Sequence, residues 1–122
     1  MNVDSAVTEF ADKHQVEKAS AVRGVMALAA LEYAGHLPVE FLPGLLAAAS
    51  KNLVGEVSRV DLEATRVAAW QHQKKKHSDS GTTVKDDADR AMRLLIGIAW
   101  EDDLPEEDIS DAMEYLDFLL NQ

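Results

Sequence analysis

The chain has 122 residues, and a domain near this length buries about two thirds of its unfolded surface, so we predict one helical domain over residues 1–122. Its 22 acidic and 12 basic residues give a formal net charge of -10, and a field of that sign repels nucleic acid and anionic lipid. The absence of cysteine excludes disulfides, thiolate metal sites and a cysteine nucleophile. We therefore expect neither nucleic acid nor a membrane as a partner. Because residues 1–4 lack the pattern of a secretory signal, the expected location is cytoplasmic.

The first predicted helix begins near the start of the chain, where Asp4 or Ser5 can serve as its N-cap. It carries Val7 and Phe10 on its apolar side. The regular spacing of apolar residues is lost after that, which predicts a break at residues 14–16.

A second predicted helix is apolar on nearly every side, from Val22 to Ala34, and such a helix is surrounded by protein or lipid. It is shorter than the roughly 20 apolar residues of a membrane span. We therefore predict a buried central helix from Glu17 to Ala34, closed by a left-handed Gly35 and stopped by Pro38. Because Leu28 lies in its middle, we expect Leu28→Asp to prevent folding.

The next apolar segment contains a second proline, Pro43. A proline inside a helix costs about 3 kcal/mol, so the helix is predicted to begin or kink at Pro43 and to end at residues 50–52. The alternative interpretation is an ordered loop that presents Val39, Phe41 and Leu42 to a partner.

A helix is also predicted further along, although the segment from Leu53 to Val60 fits a short strand as well. The helix is favoured because no second strand is available for pairing, and because apolar or uncharged residues are spaced by alternating four and three, namely Leu53, Val57, Val60, Ala64, Val67 and Gln71. Its core would run from Val60 to Trp70, and its lysine run, Lys74 to Lys76, suits a helix C-terminus. Trp70 is either a core anchor or an interface residue.

Two helices are predicted after the turn-rich residues 78–83. The first opens with Thr83 and Asp86 and ends at Trp100, and its buried stripe is predicted to be Val84, Ala88, Ala91, Leu95 and Ile98. The last is capped by Asp102 or Asp103, has Pro105 in its first turn, and points inward with Ile109, Ala112, Met113, Leu116, Leu119 and Leu120. The fold class is therefore all-α: a single-domain bundle or irregular orthogonal array of about five to six helices around the central one.

Acidic residues dominate the end of the chain. No basic residue follows Arg93, and nine carboxylates do. Glu107, Asp111 and Glu114 recur at helical spacing and, with Asp103, predict an acidic ridge. The ridge is either a solvated helix face or a docking surface for a basic protein.

Several chemistries lack their residue patterns. His72 and His77 are five residues apart, which places them on different sides of a helix. We find no Glu-x-x-His pair, no calcium loop and no nucleophile beside a base, so we predict no metal, no cofactor and no enzyme activity. Arg90 and Arg93 are expected to form internal ion pairs with nearby aspartates rather than a substrate clamp.

The sequence therefore favours a small acidic, non-catalytic protein-interaction module that binds or inhibits a basic protein, as an immunity protein does. Its predicted partner-binding residues combine the acidic ridge with two aromatic anchors: Trp100, Asp103, Glu106, Glu107, Asp111, Glu114 and Tyr115. The alternative is a structural or assembly protein that forms a homodimer through the broad faces of the last two helices.

Overall fold

The computed structural model describes residues 2–54, 59–76, 84–99 and 104–121. These ranges hold no strand, only short 3-10 turns and six α-helices, which are α1 (Val3–His14), α2 (Lys18–Glu32), α3 (Leu42–Val54), α4 (Arg59–Lys76), α5 (Asp87–Ile98) and α6 (Ile109–Leu120). The predicted all-α fold class is confirmed.

Helix α2 is the centre of the domain, because α1, α3, α5 and α6 all pack against it. Its Ala21, Ala27 and Ala30 are fully buried, and small side chains of this kind allow neighbouring helices to approach closely. One such close approach is at Gly24, where an added Cβ would lie 2.3 Å from Cζ of Phe10 in α1. The prediction of a central helix in this part of the chain is confirmed.

Leu28 is an exception within α2, since 47% of it is exposed. The surrounding helices leave one face of α2 open to solvent, so the premise that Leu28 is buried is wrong, and the expected effect of Leu28→Asp becomes smaller. The end of the helix also differs from the prediction. Gly35 lies in a 3-10 turn, Ala34–His36, and has no left-handed backbone angle. It needs none, because the turn continues the chain with hydrogen bonds from His36 N–H to Tyr33 (3.0 Å) and from Leu37 N–H to Ala34 (3.1 Å).

Helix α1 ends as predicted but begins at a different cap. Gln15 takes the left-handed conformation at φ 52° and its N–H donates to Ala11, which breaks the chain between α1 and α2. The N-cap is Asn2 rather than Asp4 or Ser5, since Asn2 Oδ1 accepts from the Ser5 N–H at 3.0 Å. Asp4 lies in the first turn instead.

Helix α3 follows a second 3-10 turn, Val39–Phe41. It starts at Leu42 with Pro43 in its first turn, as expected, but continues to Val54. Leu53 and Val54 are therefore helical, residues 55–58 lie outside the described ranges, and Arg59 opens α4. The alternative interpretation was a loop that presents Val39, Phe41 and Leu42 to a partner. Phe41 is buried, and of these three residues only Val39 is strongly exposed.

Helix α4 is turned the opposite way from the prediction. The helix forms where expected, but its predicted seam faces solvent: Ala64 and Gln71 are exposed and Val67 is 48% exposed. The buried side carries Ala69 and Gln73, because α4 packs against α3 and α5 with that side. Trp70, 50% exposed, is not a core anchor.

Helices α5 and α6 complete the core. Asp86 is the N-cap of α5, with Oδ1 accepting from Asp89 N–H at 2.8 Å, whereas Thr83 and Trp100 lie outside the described residues. The predicted stripe of α5 is buried at Ala91, Leu95 and Ile98, but Ala88 is exposed. In α6, which follows the 3-10 turn Glu106–Asp108, the inward face is confirmed by fully buried Leu116 and Leu119. Asp102 and Asp103 are not among the described positions.

Candidate functional site

The predicted partner-binding residues that the structure describes lie on α6 and the turn before it. Glu106 and Glu107 are exposed in the 3-10 turn, and Asp111 and Glu114 are exposed on the helix. The turn forms after Pro105, whose φ of -63° and ψ of 149° hold the chain extended before it winds up. Trp100 and Asp103 fall outside the described ranges.

An open cleft of about 900 Å³ separates this face of α6 from the start of α1. Four exposed carboxylates and one lysine are among its lining residues: Asp4, Lys18, Glu106, Glu114 and Asp117. Between them the half-buried Ile109 and Met113 form an apolar floor. The predicted ridge is therefore divided, because Glu114 lines the cleft and Glu107 and Asp111 do not.

Sequence reasoning missed the contribution of α1 to this cleft. Asp4 and Lys18 are brought to α6 by the packing of α1 and α2 against it, and no local pattern relates positions so far apart. Asp117 is one of the nine carboxylates that follow Arg93, but it is not one of the predicted partner-binding residues. Its spacing of three from Glu114 was the available signal.

Tyr115 is only partly available as an aromatic anchor. It is 41% exposed, and its ring stacks on Phe118 at 6.2 Å with 27° between the planes. Burial raises the pKa of the Tyr115 hydroxyl above its ordinary value, against the opposing effect of its hydrogen bond with Arg93. One side of Tyr115 therefore belongs to the core.

A buried polar network joins α4 to α5, and sequence reasoning found only part of it. Asp89 is 1% exposed and accepts from Arg93 Nε at 3.1 Å, from the Lys85 N–H at 2.9 Å and from Gln73 Nε2. Burial alone would raise the pKa of Asp89, but the hydrogen bonds from Lys85, Gln73 and Arg93 outweigh it and leave that pKa below its ordinary value. All of these donors come from the protein itself, so the network stabilises the fold.

The expected internal ion pairs of α5 are confirmed. Arg93 pairs with Asp89, and Arg90 pairs with Asp87. Arg90 also donates from Nε to the Leu119 carbonyl at 2.6 Å and lies 5.3 Å from the centre of the Tyr33 ring. These interactions engage the guanidinium groups of both arginines within the chain.

A second polar link ties three helices together at Asn52. Its Oδ1 accepts from Arg23 Nε of α2 at 2.8 Å. Its Nδ2 donates to Ala48 in α3 at 2.8 Å and to the Ile98 carbonyl of α5 at 2.9 Å. The last carbonyls of a helix have no partner within that helix. Asn52 therefore supplies, from α3, a hydrogen bond to a carbonyl at the end of α5.

Three histidines of the described ranges, His14, His36 and His72, each contact an aromatic ring. His72 meets the ring of Phe41 at 5.3 Å and 70°, and His36 Nε2 also lies 4.0 Å from Asp87 Oδ2. Within the described ranges, no three His, Asp or Glu side chains are grouped so that they could hold a metal ion.

None of the helices in the described part of the chain is both long enough and apolar enough to cross a membrane. Comparisons of the chain with protein-family models, with curated proteins and with solved structures found no match.

Proposed function

We propose that this chain is a small, acidic, non-catalytic interaction module that binds or inhibits a basic protein partner. The observation that supports this function best is the acidic cleft between α1 and α6. Four carboxylates line it against one lysine, and none of the four forms an ion pair among the described residues.

Charge makes this surface attractive to a basic partner. Four exposed carboxylates against one lysine give the cleft a net negative charge, which attracts an incoming cation. The rest of the α6 surface adds to the field, since Glu107, Asp108 and Asp111 are exposed beside the cleft and no basic residue follows Arg93. Such a field raises the association rate of a basic protein, and it weakens as salt shortens the Debye length from about 10 Å at 0.1 M to about 3 Å at 1 M.

The cleft also suits the shape of a lysine or arginine side chain. These side chains have an apolar stem and a charged end, and the stem packs on apolar surface while the charge stays at a polar edge. Ile109 and Met113 offer the apolar floor, and Glu106, Glu114 and Asp117 offer the edge. A basic side chain inserted here would be an anchor ringed by polar contacts, which is the usual anatomy of a binding hot spot.

The experiment is capture of partners from lysate of the source organism at low and at high salt, with mass spectrometry of the eluted proteins. The test variant changes Glu106, Glu114 and Asp117 to lysine. The matched control changes Asp12, Glu32 and Glu40 to lysine; these are exposed carboxylates outside the cleft, so the net charge shifts equally.

We expect the unmodified chain to retain a basic protein at low salt and release it at high salt. The test variant should fail to retain that protein while the control still does. Equal loss in both variants would reduce the effect to net charge, and retention by the test variant would refute the cleft as the binding site.

A further inference from the structure

The dimer surface predicted from the sequence lies on the last two helices, and its α5 half is buried inside the chain, with Leu94 and Leu95 fully so. Exposed apolar side chains also occur on α4, where Val67 and Trp70 are each about half exposed.

These two residues belong to one line along α4, which we call the α4 stripe: Glu63, Val67, Trp70 and Lys74. Successive spacings of four, three and four place all of them on the same side of a helix. All four are exposed, because α4 packs through the opposite side, where Ala69 and Gln73 are buried. The stripe thus has an acidic end, an apolar middle and a basic end.

Neither charged end is neutralised within the described residues, where Glu63 and Lys74 form no ion pair. The middle carries a tryptophan, a side chain that dominates interface energetics because it buries a large apolar area. The stripe therefore combines charged ends with an exposed aromatic side chain, and both features favour a protein contact.

The order of the four residues identifies the partner, because the stripe is complementary to itself. When two copies of α4 run antiparallel about a two-fold axis midway between Val67 and Trp70, each Val67 faces the Trp70 of the other copy. The same axis is also midway between Glu63 and Lys74, since both pairs are centred on the same point of the sequence. Each Glu63 then faces the Lys74 of the other copy, about 8 Å from the axis at 1.5 Å of rise per residue.

A parallel arrangement lacks this complementarity. In register, it places Glu63 on Glu63 and Lys74 on Lys74, and like charges at a helix contact are unfavourable. The antiparallel arrangement satisfies both charged ends at once and has the self-complementary form of a two-fold interface.

We propose that the α4 stripe is the contact surface between two copies of this chain, packed antiparallel with Val67 on Trp70 at the centre and Glu63 on Lys74 at each end. One pair of helices gives a contact at the small end of protein interfaces, below about 1,200 Å² in total. The dimer should therefore dissociate reversibly on dilution. This inference is independent of the proposed partner cleft, since no residue of the stripe lines that cleft.

Sedimentation equilibrium over a concentration series tests the proposal, with circular dichroism to verify that each variant is folded. The unmodified chain should be a monomer at low concentration and a dimer at high concentration. Trp70→Ala should raise the dissociation constant at least 10-fold. Leu46→Ala is the control, because Leu46 is exposed on α3 outside the stripe, and it should leave the constant unchanged.

A charge exchange tests the antiparallel register. Glu63→Lys alone and Lys74→Glu alone each create repulsion at both ends of the contact and should weaken the dimer about 10-fold, since each reversal acts twice. The double variant exchanges the two charges and should restore the dimer. A chain that remains monomeric up to about 1 mM, a dimer that withstands Trp70→Ala, or a double variant without restoration would each overturn the proposal.

Discussion

Asp89→Asn perturbs the buried Arg93–Asp89 ion pair of α5, in which Asp89 also accepts a hydrogen bond from Gln73 of α4. Asparagine keeps the size of the side chain, but it removes the charge that balances Arg93 and introduces a donor among three donors, from Gln73, Lys85 and Arg93. Arg93 itself is buried, so its charge would lose the carboxylate that balances it. Removing one partner of a buried ion pair costs about 3–5 kcal/mol, a large part of the about 5–15 kcal/mol by which a domain is stable.

Urea denaturation followed by circular dichroism measures this cost. At pH 7 we expect Asp89→Asn to lower the free energy of unfolding by about 3–5 kcal/mol and to leave the m value unchanged. The matched control is Asp12→Asn, at an exposed aspartate of α1, which should change that free energy by less than about 0.5 kcal/mol.

The same variant predicts a pH dependence with a definite sign. The pKa of Asp89 is lowered in the folded protein, so its stabilisation is present above the unfolded pKa of about 3.9 and is lost as the pH falls through the folded value. The difference between the unmodified chain and Asp89→Asn should therefore shrink below about pH 4. A cost under about 1 kcal/mol at pH 7, or a difference independent of pH, would refute the reasoning.

Four further substitutions are measured by the same denaturation assay. Asn52→Ala should lower the free energy of unfolding by about 2 kcal/mol, because it removes the hydrogen bonds that Asn52 makes to a guanidinium of α2 and to a carbonyl of α5; a neutral result would mean that water replaces the amide. Gly24→Ala should cost about 1–3 kcal/mol, since its Cβ would overlap the Phe10 ring, and a gain in stability would show that the ring can move. Leu28→Asp should cost only about 1 kcal/mol at its half-exposed site, whereas Val25→Asp, at a buried site of the same helix, should prevent folding; equal effects would contradict the observed orientation of α2.

Sequence reasoning worked best where the physical cause is local. The break after α1 depends on a few neighbouring residues, and the structure places it at Gln15. The inward face of α6 follows from apolar residues repeated along one helix, and Leu116 and Leu119 are buried as predicted. The ion pair of Arg93 with Asp89 is also local, since the two are one turn apart.

Sequence reasoning worked least well where either of two faces of a helix could have been the buried one. Periodicity placed Ala64, Val67 and Gln71 on one side of α4, which is correct, but it could not say which side meets the rest of the protein. The buried side carries Gln73, a polar residue that looks unsuited to a core. It is suited only because Asp89, 16 residues away, accepts its hydrogen bond.

By itself, the sequence determined the all-α class, the approximate positions of the helices and the acidic character of the C-terminal third, because hydrophobic period, proline placement and charge are properties of short stretches. Only the tertiary structure decided that Leu28 and Val67 face solvent, that Asp89 is buried, and that Asp4 and Lys18 complete the cleft at α6. Burial is a relation between residues far apart in the chain, so it is settled by which helices pack together and not by the pattern within any one of them.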